Sequence, residues 1–145
     1  MTLFHLAARF ATSLSPRPPD VVDEVWAEDH LLDHEVVLWR RLGNQDRRHS
    51  AKVARRFVAR RPAATRADVA GALLHDIGKV DCGLGTFGRV AATLVGPRTE
   101  SFRIYLDHER IGAERLADLG SDEATVVLVA GHGPAFPDLE ASDHA

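Results

Sequence analysis

Along this chain the apolar residues recur three and four positions apart rather than in strict alternation, the spacing of helices that each bury one stripe, and no internal repeat or low-complexity tract interrupts it. The fold class read from this pattern is all-α. A first amphipathic helix is predicted over about residues 2–14. It is stopped by Ser15-Pro16-Arg17-Pro18-Pro19, because proline cannot continue a helix and biases its predecessor away from one. Helices over about 21–28 and 35–42 follow, the second with Gly43 as its C-cap. The segment 45–61 places Val53, Phe57 and either Ala54 or Val58 on one stripe with arginines opposite, and Pro62 closes it. Thr65 and Asp68 form a T-x-x-D start signal for a helix running through Ile77. Gly83 to Gly88 reads as a loop, with helices near 90–95, 100–106, 108–119 and 122–130 after it, the last capped by Ser121. Beyond Gly131, Pro134 and Pro137 predict a tail that starts as irregular chain.

The 145 residues suit one domain with a real hydrophobic core, and 45% apolar with 27% charged residues is the balance of a soluble globular protein. No stretch approaches the roughly 20 apolar residues that span a bilayer, and no apolar leader with a small-residue cleavage site opens the chain. A cytoplasmic location is the expectation, and the single cysteine, Cys82, excludes an intramolecular disulfide. The net charge of −3 argues against nucleic acid or an anionic membrane as partner. Of 18 basic residues only Lys52 and Lys79 are lysines, which draws attention to where Lys79 stands.

Position rather than number decides what the eight histidines can do. His5, His30, His34 and His144 sit in polar or terminal contexts and read as solvated or capping residues. His75 and Asp76 lie inside the apolar run Ala72-Leu73-Leu74-His75-Asp76-Ile77, where an uncompensated charge is costly to bury. Neighbouring helical residues diverge by about 100°, so both can serve one ion only from the rim of a helix that faces a polar pocket. Lys79, four residues past His75 and three past Asp76, falls on the same side. On these residues alone, a buried His-Asp hydrogen bond with a salt bridge to Lys79 competes evenly with a metal. Further candidates tilt the balance toward metal: His49 on the buried stripe of its helix, His108 opening a helix, His132 closing one, and Asp143 near the C-terminus. Imidazole mixed with carboxylate suits Mn, Fe, Zn or Co.

The order His49, then His75-Asp76, then a late Asp143 resembles the H…HD…D pattern that names the HD-domain superfamily, and the flanking segments DRRHSAKVAR, LLHDIGK, YLDHERIGAERL and LEASDHA resemble it too. The resemblance runs from about residue 45 to the end. It implies a single compact helical bundle over 45–145, with 1–44 as a helical extension packed on it. It further implies that His49, His75, Asp76 and Asp143 bind a divalent metal, with His108 and His132 where members with a second ion carry extra ligands. Gly131-His132-Gly133 stands where the HD-GYP group has a His-His pair, and the GYP signature is missing, so a cyclic-dinucleotide phosphodiesterase is not expected. The implied activity is metal-assisted hydrolysis of a small-molecule phosphoester, with Asp76 and Lys79 as catalytic residues. Arg47, Arg48, Arg89 and the glycine-rich loop are weaker candidates for holding phosphate. The alternatives are a di-iron oxygenase built on the same ligands, or a nucleotide-binding module without turnover. The apolar residues Leu3, Phe4, Leu6, Ala7 and Phe10 leave a homodimer open.

Overall fold

The computed structural model describes residues 15–82 and 107–145, together with Phe4. The helices expected over 2–14, 90–95 and 100–106, the glycine-rich loop and His5 and Arg89 lie outside the described residues. Within them the chain forms seven α-helices, one 3-10 helix and no strand, as the apolar spacing requires.

Helix α1, Val21–Asp29, follows the proline break and carries Asp23 and Glu24 in its first turn, where carboxylates complement the positive end of the helix dipole. His30 caps it, with Nδ1 2.7 Å from the Trp26 carbonyl oxygen. Helix α2, Asp33–Arg41, starts where the Leu32 N–H donates to Glu35 Oε2 at 2.9 Å. Gly43 does not end this helix as a left-handed cap. Its φ is −63° and it is the N-cap of α3, while Leu42 caps α2, because only two residues join the helices. Helix α3, Asn44–Arg60, buries the expected Val53, Ala54 and Phe57 and ends before Pro62.

Helix α4, Arg66–Leu73, opens on the expected capping box: the Asp68 N–H donates to Thr65 Oγ1 at 3.2 Å and the Thr65 N–H to Asp68 Oδ2 at 3.1 Å. It stops earlier than Ile77. Leu74 is its C-cap, and after a turn the chain continues as a 3-10 helix over Ile77–Cys82. Helices α5, His108–Asp118, and α6, Glu123–Val129, follow, with Asp122 rather than Ser121 as the α6 N-cap. The tail then forms a helix, α7, Phe136–Asp143, with Pro137 in its first turn, where the missing N–H costs nothing.

α4 is central. It packs between α3 and α6, α7 lies on α3, and α5 lies on both α6 and the 3-10 helix. Gly71 makes the α4–α6 approach close, since a Cβ there would stand 2.9 Å from Leu128 Cδ2, and Thr125 Oγ1 donates across it to the Ala67 carbonyl at 2.8 Å. Ala27, Leu31, Leu38, Trp39 and Leu42, from the first forty-odd residues, share one core with Phe57, Leu73 and Leu116. Glu35 is wholly buried within that packing and accepts from Ser121 Oγ at 2.8 Å, with Arg66 Nη1 3.5 Å away. No described helix is long and apolar enough to cross a membrane.

Candidate metal centre

The early end of α4 is what makes a site. Had the helix run on, His75 and Asp76 would point about 100° apart. Instead, α4 ends at Leu73, the Ile77 N–H donates to the Leu74 carbonyl and the Lys79 N–H to the Asp76 carbonyl, and from this turn His75 and Asp76 both line one cavity. Gly78 permits this path: its backbone lies against the His108 carbonyl and Gly112 at the start of α5, so close that a Cβ would come 2.9 Å from Gly112 N.

His49 from α3, His75 from the turn and Asp143 from α7 each offer one ligand atom, all within 4.8 Å of one another, and this group could hold a metal ion. His49 Nε2 lies 2.8 Å from Asp143 Oδ1. His75 Nε2 is 3.7 Å from the same oxygen and 3.5 Å from Asp76 Oδ2. His75 Nδ1 is 2.7 Å from the Ala72 carbonyl oxygen, to which it donates, so that in the neutral ring Nε2 carries the lone pair. That nitrogen is buried and has no hydrogen-bond partner. Donors held about 2.1 Å from a common ion stand ~3.0 Å apart along an octahedral edge and ~3.4 Å apart along a tetrahedral one; the 3.5 Å from His75 to Asp76 is close to the second, the 3.7 Å to Asp143 is longer than either, and both are too long for hydrogen bonds. The histidine-carboxylate donor set and the orphaned nitrogen both fit a metal ion.

Asp76 is buried and shared. Its Oδ2 is 3.0 Å from Lys79 Nζ, and its Oδ1 is 3.3 Å from His108 Nε2. His132 is elsewhere: exposed between Gly131 and Gly133, both at positive φ, it lines a separate shallow groove with Arg110 and Glu114. The structure thus gathers His49, His75, Asp76, Lys79, His108 and Asp143 and leaves His132 out. Arg47 donates to Asn44 and faces Glu24, and Arg48 donates to the carbonyls of Ser15 and Arg17, so these bonds tie both arginines to the chain before and within α1.

Electrostatics follow the burial. Desolvation by itself would depress the His75 imidazole, but the carboxylates of Asp76 and Asp143 outweigh it and raise its pKa to about 9. Burial would raise Asp76, yet His75, Lys79 and His108 hold it well below the usual carboxylate range. Asp143 is likewise held well below that range: burial opposes, and the 2.8 Å hydrogen bond from His49 together with the nearby His75 imidazole prevails.

The cavity that receives these groups encloses about 250 Å³ and is walled on its apolar side by Leu128, Val129, Phe136 and Leu139. Glu109, Glu140 and His144 also line it, and sequence reasoning singled out neither glutamate. Glu140 lies one turn before Asp143 on α7. Glu109 had a signal in its place directly after His108. The arginines that seat α7 were missed as well: Arg56 donates to the Ala145 carbonyl at 3.0 Å, and Arg61 to Asp138 Oδ2 at 3.2 Å.

Comparison of the chain with family models, with curated proteins and with solved structures finds no match.

Proposed function

We propose that this chain is a metal-dependent phosphohydrolase of the HD-domain type, acting in the cytoplasm on a small-molecule phosphoester. The observation that carries the proposal is His75 Nε2, a buried nitrogen with no hydrogen-bond partner, placed among the donors of His49, Asp76 and Asp143 beside a cavity that also receives Lys79. His49, His75, Asp76 and Asp143 would hold the ion, of Mn, Fe, Zn or Co type. When bound, such an ion polarises a phosphoryl oxygen and brings the pKa of its water toward neutrality.

The chain's own side chains do the rest. Asp76, kept ionised by its neighbours, orients a water hydrogen through a carboxylate oxygen, and its rigid placement beside His75 and His108 costs no reorganisation during reaction. Lys79 Nζ neutralises charge on the phosphoryl oxygens, a task suited to a compact ammonium on a flexible stem. Leu128, Val129, Phe136 and Leu139 exclude water from the carbon skeleton of the substrate.

A second reading rests on Asp76, whose two oxygens face His75 and His108 separately, so that these side chains would hold two irons able to supply dioxygen chemistry. That arrangement supports a di-iron oxygenase. Elemental analysis of the purified protein beside Asp76→Ala, followed by a phosphoester panel with the metals found, separates the readings. Stoichiometric metal that is lost in the variant, with turnover of a phosphoester, is the expected result. Iron with no phosphatase activity would favour the oxygenase, and a folded protein that takes up no metal would end both.

A further inference from the structure

Lys79 is not the only charged group on the cavity wall. Glu109, on α5, and Glu140, on α7, line the same space. Neither carboxylate has a hydrogen-bond or ion-pair partner among the described residues, while the neighbouring Arg110 is committed to Asp107 and Glu114. The Glu109 carboxylate lies over Gly131, where a Cβ would come 2.6 Å from Oε2. Deeper in the same cavity lies the unpartnered, buried His75 Nε2. The lining therefore offers an ammonium and metal-ligand donors for a phosphoryl group, an apolar wall, and two uncompensated carboxylates. A polyanion would meet those carboxylates at a cost, and about 250 Å³ falls below the roughly 300–1,000 Å³ of pockets that enclose drug-sized ligands.

Building on the phosphohydrolase reading, we propose that the ligand of this cavity is a small zwitterionic phosphoester: an alkyl phosphate bearing an ammonium group, with its phosphoryl end at Lys79 and the metal-ligand side chains and its ammonium at Glu109 and Glu140. A chain of two or three methylenes lies along Leu128, Val129, Phe136 and Leu139. Selection comes from charge at both ends of a short molecule. Nucleoside triphosphates and dinucleotides, larger and anionic throughout, are disfavoured twice over.

The test is calorimetric titration of the full chain, supplied with Mn, using O-phosphoethanolamine and ethyl phosphate, which is its near match in size without the ammonium. The expected result is binding of phosphoethanolamine tighter by on the order of tenfold, a preference that shrinks in 0.5 M salt, since both carboxylates are exposed. In the Glu109→Gln, Glu140→Gln double variant the preference collapses to within about twofold while ethyl phosphate binds as before, which also shows that the variant is folded. Equal binding of the two phosphates by the parent, a preference that survives in the double variant, or Mn uptake with no binding of either phosphate would each overturn the proposal. Failure to take up Mn at all would instead strike the phosphohydrolase reading beneath it, so the two failures are distinguishable.

Discussion

Replacing Gly78 by alanine isolates the contact on which the shape of the site depends. Gly78 is not at a positive φ, so a methyl group there meets no backbone objection, and the whole cost is steric. The added carbon would stand 2.7 Å from the His108 carbonyl carbon and 2.9 Å from Gly112 N, and nearer still to the His108 carbonyl oxygen. These are backbone atoms of the first turns of α5, with no flexible side chain to give way. The 3-10 helix and α5 must part by about 1 Å, placing the substitution at the upper end of the 1–3 kcal/mol typical of overpacking. With an unfolding entropy of about 2.1 cal/mol/K per residue, a loss of ~3 kcal/mol in a chain of this length lowers Tm by ~10 °C. Because His108 moves with α5, its 3.3 Å approach to Asp76 opens as well, and metal uptake weakens. Gly120→Ala is the matching control: φ is +89° and nothing lies within 4 Å of the new methyl, so the cost is backbone strain alone, ~1–2 kcal/mol, with metal uptake unchanged. Thermal unfolding by circular dichroism and a chelator-competition assay read both quantities. A Gly78→Ala protein that melts within about 2 °C of the parent and takes up metal equally well would show that the 3-10 helix and α5 do not depend on this contact.

Three further outcomes follow from the same geometry. Arg56→Ala removes the bond to the Ala145 carbonyl that holds the end of α7, and metal affinity falls ~10-fold with little change in Tm, as for other residues that orient a ligand; Arg56→Lys restores part of it, and equal affinity in all three proteins would free Arg56 of this role. The His75 pKa, raised from 6.5 to about 9, stabilises the metal-free fold fully below pH 6.5 and loses that contribution as pH rises through 9, whereas the depressed Asp76 and Asp143 stabilise above the ordinary carboxylate pKa and lose their contribution in acid. Tm in chelator therefore declines between pH 7 and 9.5, by up to ~3 kcal/mol of stability, and metal uptake at pH 7 releases protons; a flat profile would contradict the first expectation and calorimetry in buffers of different ionisation enthalpy checks the second. Glu35→Gln keeps the volume but replaces an acceptor oxygen with an N–H donor in a fully buried network, costing ~1–3 kcal/mol in a denaturant titration; an unchanged midpoint would show that Ser121, Arg66 and the Leu32 N–H do not depend on it.

Local signals carried the helices whose causes are local. The α3 stripe and the Thr65–Asp68 capping box need only their own segments, and both formed where the spacing put them. Gly43 was legible as a boundary but not as a start, because its role depends on how closely the next helix follows. The break at Leu74 had no local mark at all: it is met by the α5 backbone against Gly78, some thirty residues further along the chain, and periodicity within LLHDIGK cannot register that. The tail does start as irregular chain, over 131–135, as Gly133 and Pro134 imply, and α7 then opens with Pro137 in its first turn, where a proline is well tolerated. Within the site, the buried pair His75-Asp76 stood out because charge in an apolar run demands a partner. His108 joined it on position alone, and His132 shows the weakness of that criterion: it too sits at a helix end, but two glycines turn it outward.

His49 and Asp143, which meet at 2.8 Å, are 94 positions apart. An ion held between them would fasten α3 to α7 and span most of the chain in one link, acting on the unfolded polypeptide as a long-range clasp whose effect grows with the length it closes. Such a clasp makes metal loading a report on wholeness. A chain clipped before its last few residues would keep nearly all of its core and yet lack a ligand, and a chain cut between α4 and α5 would keep its two pieces together for as long as the ion stayed in place.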